Sequence, residues 1–172
     1  FPNLKFMEFD ILKIKMVLGL LILAILTRLL PHPPNFAPIT SIALFSGFHF
    51  QNKRFAILFP LACMLITDIY LGLHSLMPVI YGCFVINSYI GIKFKKLTFT
   101  SILLASFSFF IVSNLGVWFF HYPLTFSGLL TCFTLAIPFF INSLAGDLFY
   151  SSILDISVKK LSQPNVIIVE GN

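Results

Sequence analysis

Lysine and arginine occur in this chain almost only between apolar stretches, and only in every second gap, an alternation that restricts the fold more than any motif does. The apolar stretches run from about Met16 to Leu30, Pro38 to Phe50, Phe55 to Leu71, Ser75 to Ile92, Thr100 to Phe120 and Pro138 to Ile156. Lys5, Lys13 and Lys15 precede the first, and Lys53 and Arg54 follow the second. Lys93, Lys95 and Lys96 follow the fourth, and Lys159 and Lys160 follow the sixth. The gaps after the first, third and fifth contain neither residue type. Ten of the 11 basic residues therefore fall on one side of a six-segment zigzag. By the positive-inside rule that side is cytoplasmic, so both termini are expected inside.

Composition supports lipid as the solvent. Of the 172 residues, 58% are hydrophobic and 10% charged, against about 45–50% and about 25% in soluble domains. The formal charge of +5 is spread over topology-setting gaps, which argues against a nucleic-acid partner. Cys63, Cys83 and Cys132 stand singly in apolar runs and suggest neither a disulfide framework nor a metal site. Lys13 and Lys15 before an apolar run imitate a signal peptide. Arg28, Pro31-His32-Pro33-Pro34 and the lack of a small-x-small cleavage site point instead to an uncleaved span. The expected organisation is an N-terminal extension over 1–15, with Met7 or Met16 as a natural start, a transmembrane domain over 16–158 and a cytoplasmic tail over 159–172.

Several residues set expected boundaries. Pro31 stops the first span and Gly72 the third, while Ser75 caps the fourth. Pro38 and Pro78 suit first helical turns. The second segment is short for a bilayer that asks for about 20 residues. Phe126–Ala136 reads as a separate short or surface-lying helix before Pro138. Ala43 and Gly47 form a small-xxx-small pair suited to close helix contact.

The polar residues gather toward the non-cytoplasmic face, formed by Pro31–Pro38, Leu73–Ser75 and His121–Ser127. Arg28 and Asp68 each lie about one turn below that face and suit an ion pair, for function or for packing. Asn114, Trp118 and His121 share one stripe of the fifth span; they suit a solute cavity, or an interface anchor and interhelical glue. Asp147 stands near mid-membrane in the sixth span, with Asn142, Ser143, Gly146, Tyr150 and Ser151 at helical spacing. It suits a substrate, ion or proton role, or a packing role. His32, His74 and His121 map to the outer face without the close spacing of a metal site, and His49 lies near the cytoplasmic boundary. No nucleotide-binding or hydrolase motif is present.

The run from Arg28 through Pro31-His32-Pro33-Pro34-Asn35-Phe36 to Phe45 resembles the signature of a family of small, uncharacterised bacterial membrane proteins. The likeness continues through Asn52-Lys53-Arg54, Asp68 to His74, Asn114 to Trp118, and Ala136 to Asp147. That family is in turn loosely similar to the substrate-binding S components of energy-coupling-factor (ECF) vitamin transporters. The resemblance implies an all-α polytopic membrane bundle of about six helices in a bacterial inner membrane. It also implies a pocket near the outer face, no resident cofactor, and a separate transmembrane coupling protein with ATPases. S components commonly carry an Ala-x-x-x-Ala contact motif on the first span; here Leu20, Ala24 and Arg28 occupy that register.

The expected function is binding or uptake of a small polar or vitamin-like solute from the non-cytoplasmic side. The candidate binding residues are Arg28, Asn35, Asp68, Asn114, Trp118, His121, Asn142 and Asp147, with Trp118 stacking on a ring. The alternatives are a non-transporting subunit that packs or docks a larger complex and, last, a membrane-embedded enzyme acting on a lipid or quinone. The enzyme reading requires Asp147 and His121 within hydrogen-bond reach.

Overall fold

The computed structural model describes residues 2–31 and 33–161, and among them the regular structure is all helical, with no strand. Six helices follow in order: α1 (Pro2–Leu29), α2 (Ile39–His49), α3 (Lys53–Leu71), α4 (Met77–Phe94), α5 (Phe99–His121) and α6 (Phe126–Leu161). Four of them, α3 to α6, are long and apolar enough to cross a membrane; the apolar part of α1, Leu18–Leu29, and the whole of α2 are shorter. The bundle turns Leu58, Ile69, Phe119, Leu130 and Ile141 outward, an apolar exterior that suits hydrocarbon. The protein is a helical membrane bundle.

The shortest helix is its centre. At about 1.5 Å per residue, the 11 residues of α2 reach only about half of a bilayer core near 30 Å thick. They do not need to reach further, because every residue from Ile39 to Gly47 is buried and all five other helices pack around them. A helix apolar on every side is stable only when enclosed. The Ala43–Gly47 expectation holds here: both residues are buried, and Gly47 lies directly against the α4 backbone at Ser88, Gly91 and Ile92.

Local chemistry sets most boundaries. Asn52 caps α3 by accepting from the N–H groups of Arg54 and Phe55. Gly72 ends it at φ 106°, its N–H returning to the Asp68 carbonyl; a positive φ of this kind favours glycine, which has no Cβ. Thr98 and Ser101 form a reciprocal capping box for α5.

Helix α1 starts at Pro2, so one helix takes in residues 2–15 of the expected extension together with the first apolar stretch. Two boundary expectations need correction. The cap of α4 is Leu76, with no side-chain hydrogen bond, rather than Ser75. Most importantly, no break separates Phe126–Ala136 from the last span: α6 is one helix of 36 residues. Its buried residues Gly128, Cys132, Ala136, Ser143, Gly146, Asp147, Ser151 and Leu154 keep one helical phase across Pro138. The proline itself stands on the exposed side, where its crowding falls outside the packed face. The expected tail begins inside α6 with Lys159 and Lys160; His32 and residues 162–172 lie outside the described residues.

Candidate functional site

Short connections put the ends of α1, α3 and α5 beside the starts of α2, α4 and α6, at the end of the bundle opposite the lysines. Arg28 in the last turn of α1 and Asp68 in the last turn of α3 meet there, Nη2 to Oδ1 at 2.7 Å. Nη1 donates to the Thr67 hydroxyl at 2.5 Å and to the Met64 carbonyl at 3.3 Å. The Tyr81 hydroxyl of α4 donates to the other carboxylate oxygen at 2.7 Å. The side chain of Asp68 is 1% exposed and that of Arg28 17%. The carboxylate is thus sealed behind the guanidinium, which keeps an edge open.

That edge faces a hollow. One cavity of about 410 Å³ is lined by Arg28, Thr40, Met64, His74 and Phe84. A second, of about 310 Å³, is lined by Phe110, Ser113, Asn114, Tyr122 and Phe139. Asn35, Ile80, Phe109 and Ser143 belong to the walls of both, so the two lie side by side as neighbouring lobes at this end of the bundle. Apolar walls with a few convergent polar groups are the usual make-up of a small-molecule site, and about 300–1,000 Å³ is its usual size.

Asn35 reaches this wall from the loop before α2 with a left-handed backbone, φ 63°. Asparagine tolerates that conformation better than other residues bearing a Cβ. The neighbouring Phe36 holds the loop down. Its N–H returns to the Pro33 carbonyl, its ring lies 5.6 Å from that of Tyr150 and 5.8 Å from that of Phe149, and it covers Gly146. The proline-rich segment and the glycine of α6 are two sides of one contact.

A family model matches residues 10–166, which takes in α2 to α6 and every residue lining the hollow. The chain belongs to that family, a family of unknown function (DUF6580). No curated protein matches the chain, and no solved structure does.

Of the eight candidate residues in this DUF6580 chain, Arg28, Asn35 and Asn114 line the hollow and Asp68 stands behind Arg28. The other four are placed elsewhere. The Trp118 indole N–H donates to the Pro123 carbonyl at 3.0 Å, fixing the turn between α5 and α6. His121 is exposed at the end of α5, and Asn142 is half-buried off the cavity walls. Asp147 is 1% exposed and accepts from the Ser106 hydroxyl of α5 at 2.6 Å. Its backbone carbonyl accepts from Ser41 of α2 at 3.1 Å, and Ser41 accepts from Ser151. These bonds join α2, α5 and α6.

Asp147 and His121 are far apart. Ser106, which binds Asp147, precedes His121 by fifteen residues of α5, about 22 Å along the axis, so the acid–base pair required by an enzyme reading is not formed. Among the described residues no three His, Cys, Asp or Glu side chains gather in a way that would hold a metal. Sequence reasoning missed Phe109, Tyr81 and the wall role of Ser143. Ser143 stood in the recognised polar face of α6, one residue from Asn142, and only the rotation of the helix decides between them.

Proposed function

We propose that this DUF6580 member is a membrane-embedded solute-binding protein that takes up a small polar or vitamin-like solute, in the manner of an S component. The observation that carries the reading is the two-lobed hollow, whose lobes share Asn35 and Ser143 and into which Arg28 opens. With both termini cytoplasmic, as the lysine distribution argues, the hollow faces the non-cytoplasmic side of a bacterial inner membrane. Recognition is then the whole of the chemistry. The open edge of Arg28 meets an electron-rich group, the side-chain carbonyl of Asn114 and the Ser143 hydroxyl meet polar edges, and Phe109 and Phe110 stack on a ring. The stacking role assigned from sequence to Trp118 passes to these phenylalanines.

The coupling partner of this reading is a separate transmembrane protein served by ATPases. Leu20 and Ala24, which occupy the register of the S-component contact motif, are 4% and 0% exposed and pack in the bundle core. Such a partner would dock on another face. The packing of Asp147, Ser106, Ser41 and Ser151 favours a second reading, a structural subunit whose polar residues join helices. Native mass spectrometry of gently purified protein separates the two. A retained small molecule that Ser143→Trp abolishes, without loss of thermal stability, supports solute binding. An empty wild-type protein that co-purifies with a stable membrane complex favours the structural subunit.

A further inference from the structure

Among the described residues, two other than glycine adopt a left-handed backbone, Asn35 and Lys95. Asn35 belongs to the hollow already described. Lys95 belongs to a third cavity at the opposite end of the bundle, between the start of α3 and the end of α4. That cavity holds about 470 Å³ and is lined by Lys53, Ile57, Tyr89, Ile92, Lys93 and Lys95. The geometry points to a binding site for the phosphate headgroup of an anionic phospholipid.

Topology alone would be served by lysines placed anywhere in the two basic gaps. Here three of them, from two separate helix ends, converge on one space. Lys53 is the first residue of α3, where the helix dipole adds positive potential. Lys93 lies over the Tyr89 ring, with Nζ 5.4 Å from its centroid. Lys95 occupies the C-cap of α4 at φ 56°, a conformation helix ends usually give to glycine or asparagine. A lysine there accepts backbone strain, and that strain sets it in the cavity wall. Sparsely populated conformations of this kind cluster at ligand clamps. The ion pairs found among the described residues, Arg28–Asp68 and Lys159–Asp155, engage none of the three lysines.

The rest of the wall selects lipid over a soluble phosphate. Ile57, Tyr89 and Ile92 continue along α3 and α4 into Leu58, Val85 and Ile86, all exposed. An acyl chain lying on that surface would leave its headgroup phosphate among the ammonium groups. Basic pockets between transmembrane helices on the cytoplasmic side hold acidic headgroups by this chemistry.

The test is native mass spectrometry of the full chain released from nanodiscs that contain equal amounts of phosphatidylglycerol and phosphatidylcholine. Wild-type protein should retain phosphatidylglycerol selectively. Each lysine replaced among Lys53→Gln, Lys93→Gln and Lys95→Gly should lower that retention roughly fivefold, and Lys95→Gly leaves the left-handed backbone relaxed. Lys159→Gln/Lys160→Gln, which removes charge at the same end outside the cavity, should change retention little. Melting in phosphatidylcholine alone reports whether each single variant folds, so lost retention in a folded variant is read as lost binding. Equal loss in the Lys159/Lys160 variant, or no selectivity in wild type, would overturn the site in favour of diffuse surface charge. Displacement of the lipid by equimolar glycerol phosphate would overturn the lipid assignment in favour of a soluble phosphate.

Discussion

Ser46 of α2 repairs the backbone defect that Pro60 makes in α3. Pro60 has no N–H, so the Ala56 carbonyl one turn earlier loses its helical partner. Both Ala56 and Pro60 are buried, and an orphaned buried acceptor costs about 1–3 kcal/mol. The Ser46 hydroxyl lies 2.7 Å from that carbonyl. It also lies 2.9 Å from the Ala43 carbonyl, which is already served within α2. Ser46→Ala should therefore destabilise the protein by about 1–3 kcal/mol. In a Pro60→Ala background, where the helical N–H returns, the same substitution should cost far less. A double-mutant cycle read by thermal melting in detergent should give a coupling of about 1 kcal/mol or more; additive losses would exclude the repair.

Gly47 and Gly91 set how closely α2 and α4 approach. A Cβ on Gly47 would strike the Ser88 carbonyl and come within 2.8 Å of both Gly91 Cα and Ile92 N. All three are backbone atoms, which cannot rotate away. Gly47→Ala should cost about 3 kcal/mol, the upper end of ordinary overpacking. Gly82 lies in the same α4, and a Cβ there meets nothing within 4 Å. Gly82→Ala should be neutral or stabilising by up to about 1 kcal/mol. Equal melting shifts for the two would remove this account of the helix contact.

The Arg28–Asp68 pair was legible because two ionisable residues, each one turn from a helix end on the same side, have little else to meet in an apolar setting. Its third member was not. Tyr81 looks like any aromatic residue of a membrane helix, and only the packing of α4 on α3 brings its hydroxyl to Asp68. The alternation of lysines gave the order of the helices but not the burial of α2, because a short apolar run reads the same whether it spans or is enclosed. Pro138 misled for a related reason. Proline marks a helix end when its neighbours change phase, and here the buried stripe from Cys132 to Leu154 keeps its phase. The polar stripe of α5 divided because an indole N–H at a helix end finds a turn carbonyl as readily as a solute.

The ion pair itself should be worth less than the cost of breaking it. Arg28→Met leaves the Asp68 carboxylate, 1% exposed, with Tyr81 and no cation. Breaking a buried pair in this way costs about 3–5 kcal/mol; the partial exposure of Arg28 argues for the lower end. Removing both charges, as in Arg28→Met/Asp68→Asn, should recover much of that loss. Tyr81→Phe should cost about 1–2 kcal/mol, the range of a hydrogen bond to a charged group. Chemical unfolding of the four proteins checks the order, and a double variant worse than Arg28→Met would contradict it.

Adjacent positions on α6 offer the sharpest separation of binding from packing. Ser143 belongs to the walls of both lobes and is 8% exposed, whereas Asn142 belongs to neither wall. Successive residues of a helix point about 100° apart, so a bulky side chain at 143 enters the hollow and one at 142 does not. Ser143→Leu should therefore lower retention of a co-purifying solute by at least tenfold, while Asn142→Leu should leave it within about twofold; a tenfold change corresponds to about 1.4 kcal/mol of binding free energy. Both variants should melt within a few degrees of wild type, since an apolar side chain facing an open cavity or the half-buried flank displaces no packed neighbour. The measurement is solute occupancy by native mass spectrometry, with melting recorded on the same samples. Loss at 142 with retention at 143 would place the binding surface on the other face of α6 and remove the hollow from the mechanism.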